Sequence, residues 1–195
     1  MKYRTVVVVG AMAVAVLVAG LTSGQEAEVA RQSKYRIWYT SPDARVELGH
    51  HWASRHLGDE WLILKVSIAG GAAGVIEVER SAVRVQSPAG EVYQLPTQSE
   101  FREGLGEYRM ALQRDNTWEP ASSAFERSLT RADEWFFSPP GSYFHRDTIY
   151  PSNFQYCTGP MVFRIPGGVQ PGEWILMIDL EESKVRVPFV LEAKG

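Results

Sequence analysis

Three histidines crowd the stretch GHHWASRH: His50, His51 and His56. Imidazole is the commonest protein ligand for metals, and zinc sites set histidines at helical i, i+4 or in short paired spacings. His51 and His56 stand five apart, no cysteine is near, and HExxH is absent. The stretch therefore reads as a polar loop before the apolar run WLILKVSI. Cys157, Met161 and His145 contain three of the residue types of a blue-copper site, which needs two His, one Cys and an axial Met. No histidine lies between or just after Cys157 and Met161, so the pair reads as a buried thiol beside a core methionine.

Acid–base chemistry has two candidate places. His145-Arg146-Asp147 could contribute to a proton-transfer pair. Asp133 and Glu134 are two carboxylates beside aromatic residues, a composition found in carbohydrate-processing sites. Adjacent side chains diverge, however, and these two read better as solvated charges at a helix end. The chain has no GxSxG elbow, no DxDxDG calcium loop, and its GGAAG lacks the lysine of a phosphate cradle. No catalytic residue and no cofactor is expected.

The remaining feature is WFFSPPGSYFHRDTIYPSNFQY, residues 135–156, with eight of the 22 aromatic residues of the chain. Pro139, Pro140, Gly141 and Pro151 interrupt any regular helix. Partner-binding surfaces are enriched in such rings. A long loop folded on a core by its own side chains has the same composition. Trp135, Phe136, Phe137, Tyr143, Phe144, Tyr150 and Phe154 are the candidate partner-binding residues. Tyr143, Phe144 and Tyr150 lead, because they flank His145 to Ile149 between the prolines.

These residues sit in a chain of 195, 45% hydrophobic and 22% charged, with net charge −3 and pI 5.8. That composition supports a packed core. It carries no basic stripe, so nucleic acid is not expected as a partner. One cysteine permits no internal disulfide and no CxxC pair.

The N-terminus reads as a targeting segment. Lys2 and Arg4 precede an uncharged run from Val6 to Leu21, and Glu26 and Glu28 follow. This asymmetry places the following chain outside the cytoplasm, in the periplasm or at the cell surface. Residues 1–24 fit a signal peptide cleaved after Gly24. They also fit a membrane anchor built on Val6, Val9, Met12, Val16, Leu17 and Leu21. Sixteen helical residues span roughly 24 Å, less than the hydrocarbon core of about 30 Å. Residues 25–33 are expected as a linker.

Beyond it, period-two alternation dominates. It marks Tyr35, Ile37 and Tyr39; Val46 and Leu48; Leu62, Leu64, Val66 and Ile68; Ile76 and Val78; Val83 and Val85; and Tyr93 and Leu95. It resumes at Met161, Phe163 and Ile165, at Trp174, Leu176, Ile178 and Leu180, and at Val185, Val187, Phe189 and Leu191. WLILKVSI, apolar on both faces, is expected to be central. Pro188 puts the last strand at an edge or on a bulge. Eight or nine short strands with Gly/Pro turns predict an all-β, immunoglobulin-like antiparallel β-sandwich over 34–192. Residues 97–158 read as an insertion of short helices and an aromatic loop. Thr97-Gln98-Ser99-Glu100 matches a capping box, with Phe101, Leu105, Tyr108 and Leu112 on one helical face. A second helix is expected over Ser122–Ala132, with Phe125 and Leu129 inward.

WLILKVSI, VRVQSPAGEVYQLP, GPMVFRIP and PGEWILMIDL together resemble the immunoglobulin-like extracellular domain of bacterial secreted proteins and lipoproteins. Ser87, Gly90 and Tyr93 match its Asp/Ser-x-x-Gly-x-x-Tyr hairpin, and Gly159, Phe163 and Pro166 its Gly-x-x-x-Phe-x-x-Pro strand. The resemblance covers roughly residues 58–96 and 158–192. Ala69-Gly70-Gly71-Ala72-Ala73-Gly74 departs from its Asn-rich turn, and the insertion is longer than its usual connection. Such domains are adhesion, scaffolding or uncharacterised modules, and no catalytic residue carries over. The expectation is a non-enzymatic extracytoplasmic interaction module with a protein partner, an accessory subunit of a membrane complex. The alternative is an envelope enzyme or carbohydrate-binding module using the aromatic loop.

Overall fold

Alternation along WLILKVSI builds the centre of the molecule. The structure is a computed structural model that describes residues 27–72, 74–104, 106, 107, 110, 125, 128–132, 134–137 and 146–193. Its strands are β1 (Glu28–Ser33), β2 (Arg36–Thr40), β3 (Ala44–Gly49), β4 (Trp61–Gly70), β5 (Val78–Glu79), β6 (Val83–Gln86) and β7 (Val92–Gln94). They continue with β8 (Thr130–Arg131), β9 (Thr148–Ile149), β10 (Gln155–Arg164), β11 (Gly172–Asp179) and β12 (Lys184–Leu191). Helix α1 spans His51–Arg55 and α2 spans Gln98–Glu103, with a 3-10 turn at Arg80–Ala82.

One sheet runs β1-β2-β3-β4-β10-β8 and a second runs β12-β11-β6-β7; β5 and β9 form a separate ribbon. All pairings are antiparallel except β8 with β10. Because side chains alternate across a strand, every second residue points into the space between the sheets. On β4 these are Leu62, Leu64, Val66 and Ile68, opposite Phe163, Met161, Gly159 and Cys157 of β10. Val83, Val85, Trp174, Leu176, Ile178, Val185, Val187 and Phe189 of the other sheet join them in one buried cluster. Each fully buried Leu, Ile, Val or Phe contributes about 1.5–3 kcal/mol relative to exposure. β4 is interior to its sheet, and β12, which carries Pro188, is an edge strand. A proline there leaves no ladder donor missing on the paired side of a central strand.

The far face of the six-stranded sheet is also covered. Trp38, Glu47, Ser67 and Thr158 are successive cross-strand partners along one row. Glu47, Ser67 and Thr158 are buried. Glu47 is ion-paired to Arg36 at 3.1 Å, and Ser67 Oγ lies 2.8 Å from Thr158 Oγ1. Beside this row, Phe125 packs with Ala69 and Tyr156 in a second cluster bordered by Trp38 and Leu129.

Three expectations change. The linker over 25–33 is largely strand: β1 pairs with β2 from Glu28↔Thr40 to Ser33↔Arg36. Its sequence EVARQS shows no apolar alternation, and Val29 is exposed, so main-chain pairing rather than burial fixes it. The helix expected to reach Ala132 stops sooner, because Thr130 and Arg131 pair in parallel with Gln155 and Tyr156. The GVIEVER strand shrinks to Val78 and Glu79, paired with Ile149 and Thr148. The capping box does form: Thr97 Oγ1 accepts from Glu100 N–H and Glu100 Oε2 from Thr97 N–H. Phe101 of α2 is buried, and Gly104 caps the helix; Leu105, Tyr108 and Leu112 lie outside the described residues.

Candidate functional site

Two glycines allow three loops to meet at one end of the sheets. A Cβ on Gly70 would fall 1.9 Å from Gly74 O and 3.1 Å from Asn153 N; one on Gly71 would fall 2.1 Å from Pro42 O. With no side chains in the way, the backbones join directly. Gly70 N–H donates to Ser152 O at 3.0 Å, Ile76 N–H to Pro151 O at 2.9 Å, and Gly71 N–H to Asp43 O at 2.7 Å. Ser152 then folds the segment between β9 and β10 on itself. Its Oγ accepts from Phe154 N–H at 3.2 Å and from Gln155 N–H at 3.0 Å, and its N–H donates to Gln155 O. Thr130 N–H donates to Phe154 O, and Arg45 Nη2 reaches Asn153 O.

On this pinned turn two rings point outward. Phe154 is 74% exposed and Tyr150 is 47% exposed. The other rings of the aromatic stretch divide differently. Phe136 and Phe137, counted above among partner-binding candidates, belong to the core, at 0% and 9% exposure. Phe137 stacks on Phe101 with centroids 4.4 Å apart, which is how α2 is held. Trp135 is half-buried, and its Nε1–H donates to Pro160 O at 2.8 Å. Tyr143, Phe144, His145 and Asp133 lie outside the described residues, as do Val6, Val9, Met12, Val16, Leu17 and Leu21. Among the described residues no helix is long and apolar enough to cross a membrane.

No protein-family model, curated protein or solved structure matches the chain. The chemistry of the site rests on its own geometry.

The candidate ligands and acid–base groups are dispersed. His50 Nδ1 meets Ser54 Oγ at 3.0 Å, while His56 stacks on Trp52 and its Nδ1 meets Trp52 O at 2.8 Å. His51 packs edge-on against Tyr35. Among the described residues no three His, Cys, Asp or Glu side chains are grouped to hold a metal. Cys157 is fully buried, and its thiol is pushed up to about 12, first by burial and then by the field of Glu134, with Arg146 opposing. A thiol so placed resists forming the thiolate that metals and electrophiles require. Glu134 is paired with Arg146 at 3.0 Å and Asp147 with Arg80 at 3.2 Å, so the two carboxylates face different arginines.

Arg80 is the residue that sequence reasoning missed. It is 3% exposed; its Nη2 donates to Phe136 O and to Arg146 O, both at 2.7 Å, and its guanidinium lies over the Phe137 ring. Burial pulls its pKa down, and Asp147 pulls it back up. Arg80 thus ties both ends of the 136–146 segment to the 3-10 turn. Arg80 sits in VERSAV, where nothing but its break in the apolar alternation distinguishes it.

Proposed function

We propose that the chain is a non-enzymatic interaction module of the extracytoplasmic envelope, held by its N-terminal segment as an accessory subunit of a membrane complex. Its two sheets around one core support reading the fold as an immunoglobulin-like sandwich. The observation that carries the proposal is the pair Tyr150 and Phe154, exposed on a turn whose backbone is fixed from both sides. Most large rings of the described residues are buried, so exposing Phe154 leaves apolar area in water on a surface already ordered. A rigid aromatic anchor loses little conformational entropy on binding, which is what an interface hot spot needs.

Replacing Phe154 with a photo-crosslinking phenylalanine analogue in cells that make the native chain tests this reading. The expected result is a discrete protein adduct at position 154, lost in Tyr150→Ala and absent when the analogue stands at the exposed Glu182. No adduct at 154, with the chain monomeric in the solubilised membrane, would overturn it.

A further inference from the structure

A groove of about 990 Å³ opens on a different part of the surface, and its walls differ in kind from the aromatic turn. One wall is β7. Val92, Tyr93, Gln94 and Leu95 all line the groove in succession. A strand face would contribute alternate residues, so the groove is bounded by the strand's edge. Among the described residues that edge is free: β7 ends its sheet, with β6 on its other side. Ser87 N–H donates to Glu91 O and Leu95 N–H to Val83 O, which fixes the ladder. By alternation the N–H and C=O groups of Val92 and Gln94 point away from β6, into the groove.

The rest of the lining is rich in carboxylates. Glu100 and Glu103 lie one turn apart on α2, Glu107 follows beyond its cap, and all three line the groove with Glu79. None of these four has an ion-pair partner among the described residues. The other charged groups there are already engaged: Asp147 by Arg80, and Arg164 by Glu60 and the face of Trp61. The lining also holds a buried donor. Arg80 is 3% exposed, yet among the described residues its Nε and Nη1 have no hydrogen-bond partner.

We infer that this groove takes an extended, lysine- or arginine-bearing peptide segment of a partner protein, added as a strand along the free edge of β7. Main-chain bonds to Val92 and Gln94 supply the pairing, and the carboxylates of Glu79, Glu103 and Glu107 select basic side chains. An unpaired edge without this use is a self-association hazard that proteins blunt with lysine or proline. Val92–Gln94 carries neither. The inference does not depend on the Tyr150–Phe154 surface.

The test uses the full chain and fluorescein-labelled peptides of alternating lysine and valine, read by anisotropy. The lysine peptide is expected to bind, and a glutamate–valine peptide not to. Glu103→Gln with Glu107→Gln should weaken binding about tenfold, whereas Glu181→Gln with Glu182→Gln should not. Glu100 is left intact because it closes the α2 cap. Val92→Pro removes one outward donor from an edge that tolerates proline, and should also weaken binding about tenfold. A thermal melt checks that this variant folds. A lysine–valine peptide N-methylated at alternate amides probes strand pairing without altering the protein, and should not bind. Equal binding of the methylated and unmethylated peptides would overturn strand addition, and so would indifference to the Glu103/Glu107 change or no binding of the lysine peptide.

Discussion

The indole of Trp135 fills the space that a side chain on Gly159 would need. A Cβ at position 159 would lie 2.4 Å from Trp135 Cδ1 and 2.5 Å from Nε1, while Nε1–H donates to Pro160 O one residue further along β10. Gly159 faces inward on β10, between the buried Cys157 and Met161. The aromatic segment is therefore seated in a notch that the strand leaves by lacking one side chain. Gly159→Ala is expected to destabilise by about 1–3 kcal/mol, the usual range for overpacking a core. Urea unfolding measures it. Combined with Trp135→Ala, the two changes should cost less than their sum, since the second removes the clash made by the first. Strict additivity would show that Trp135 does not occupy the notch.

On the other face of the same strand, Thr158 Oγ1 donates to Val66 O at 3.2 Å, so Ser67 Oγ donates to Thr158 Oγ1. Both residues are under 9% exposed. Thr158→Val should cost about 1–3 kcal/mol, because it strands the Ser67 hydroxyl away from water. Thr158→Val with Ser67→Ala removes both polar groups and should recover much of that loss. A double-mutant cycle by chemical denaturation reads the coupling, and a coupling near zero would mean the hydroxyls are solvated separately.

The sheets were legible in the sequence where both faces of a strand have distinct neighbours. Val185 to Leu191 alternates because one face meets the core and the other does not, while Leu62 to Ile68 turns its largest apolar residues to the core and a mixed, covered face to the other side. β1, β8 and β9 were not legible. β8 and β9 have two residues each, too few to show a period, and β1 is held by pairing rather than burial. The aromatic stretch shows the same limit at side-chain level. Phe136 and Phe154 lie in one composition-defined segment, yet one is buried and the other exposed. What separates them is where Arg80 and Ser152 pin the backbone, and those contacts link residues 56 and 66 positions apart or depend on a single hydroxyl. The capping box was legible because its logic is local, four residues long.

That cap carries an acid dependence. The Thr97 N–H and hydroxyl hold the Glu100 carboxyl below its ordinary value of 4.5. A carboxylate with a depressed folded pKa stabilises the native state above its unfolded pKa, and the contribution fades as pH falls through the folded value. Helical order at α2 should thus be constant from neutral pH to about 5 and decline below 4.5. Glu100→Gln should flatten this arm. Thr97→Ala should loosen α2 at every pH by about 1 kcal/mol, the usual cost of a lost N-cap. Amide exchange at Phe101 and Gly104, whose N–H groups bond Thr97 O and Glu100 O, reports both effects.

The same burial that makes Cys157 a core residue also makes it a probe of opening. With its thiol near 12, the thiolate fraction at pH 8 is on the order of 10⁻⁴, against roughly a quarter for an unperturbed cysteine. Access is closed as well, since the residue is 0% exposed between Ile68 and the opposing sheet. Alkylation in the native protein should therefore proceed only through unfolding of the β4–β10 ladder, and at least about a thousandfold more slowly than in urea. Its rate should rise with denaturant along the same slope as global unfolding. Rapid native labelling, insensitive to denaturant, would contradict the packing of Cys157 in the centre of the fold. Gly159→Ala, which overpacks the neighbouring notch, should accelerate labelling in proportion to the stability it removes.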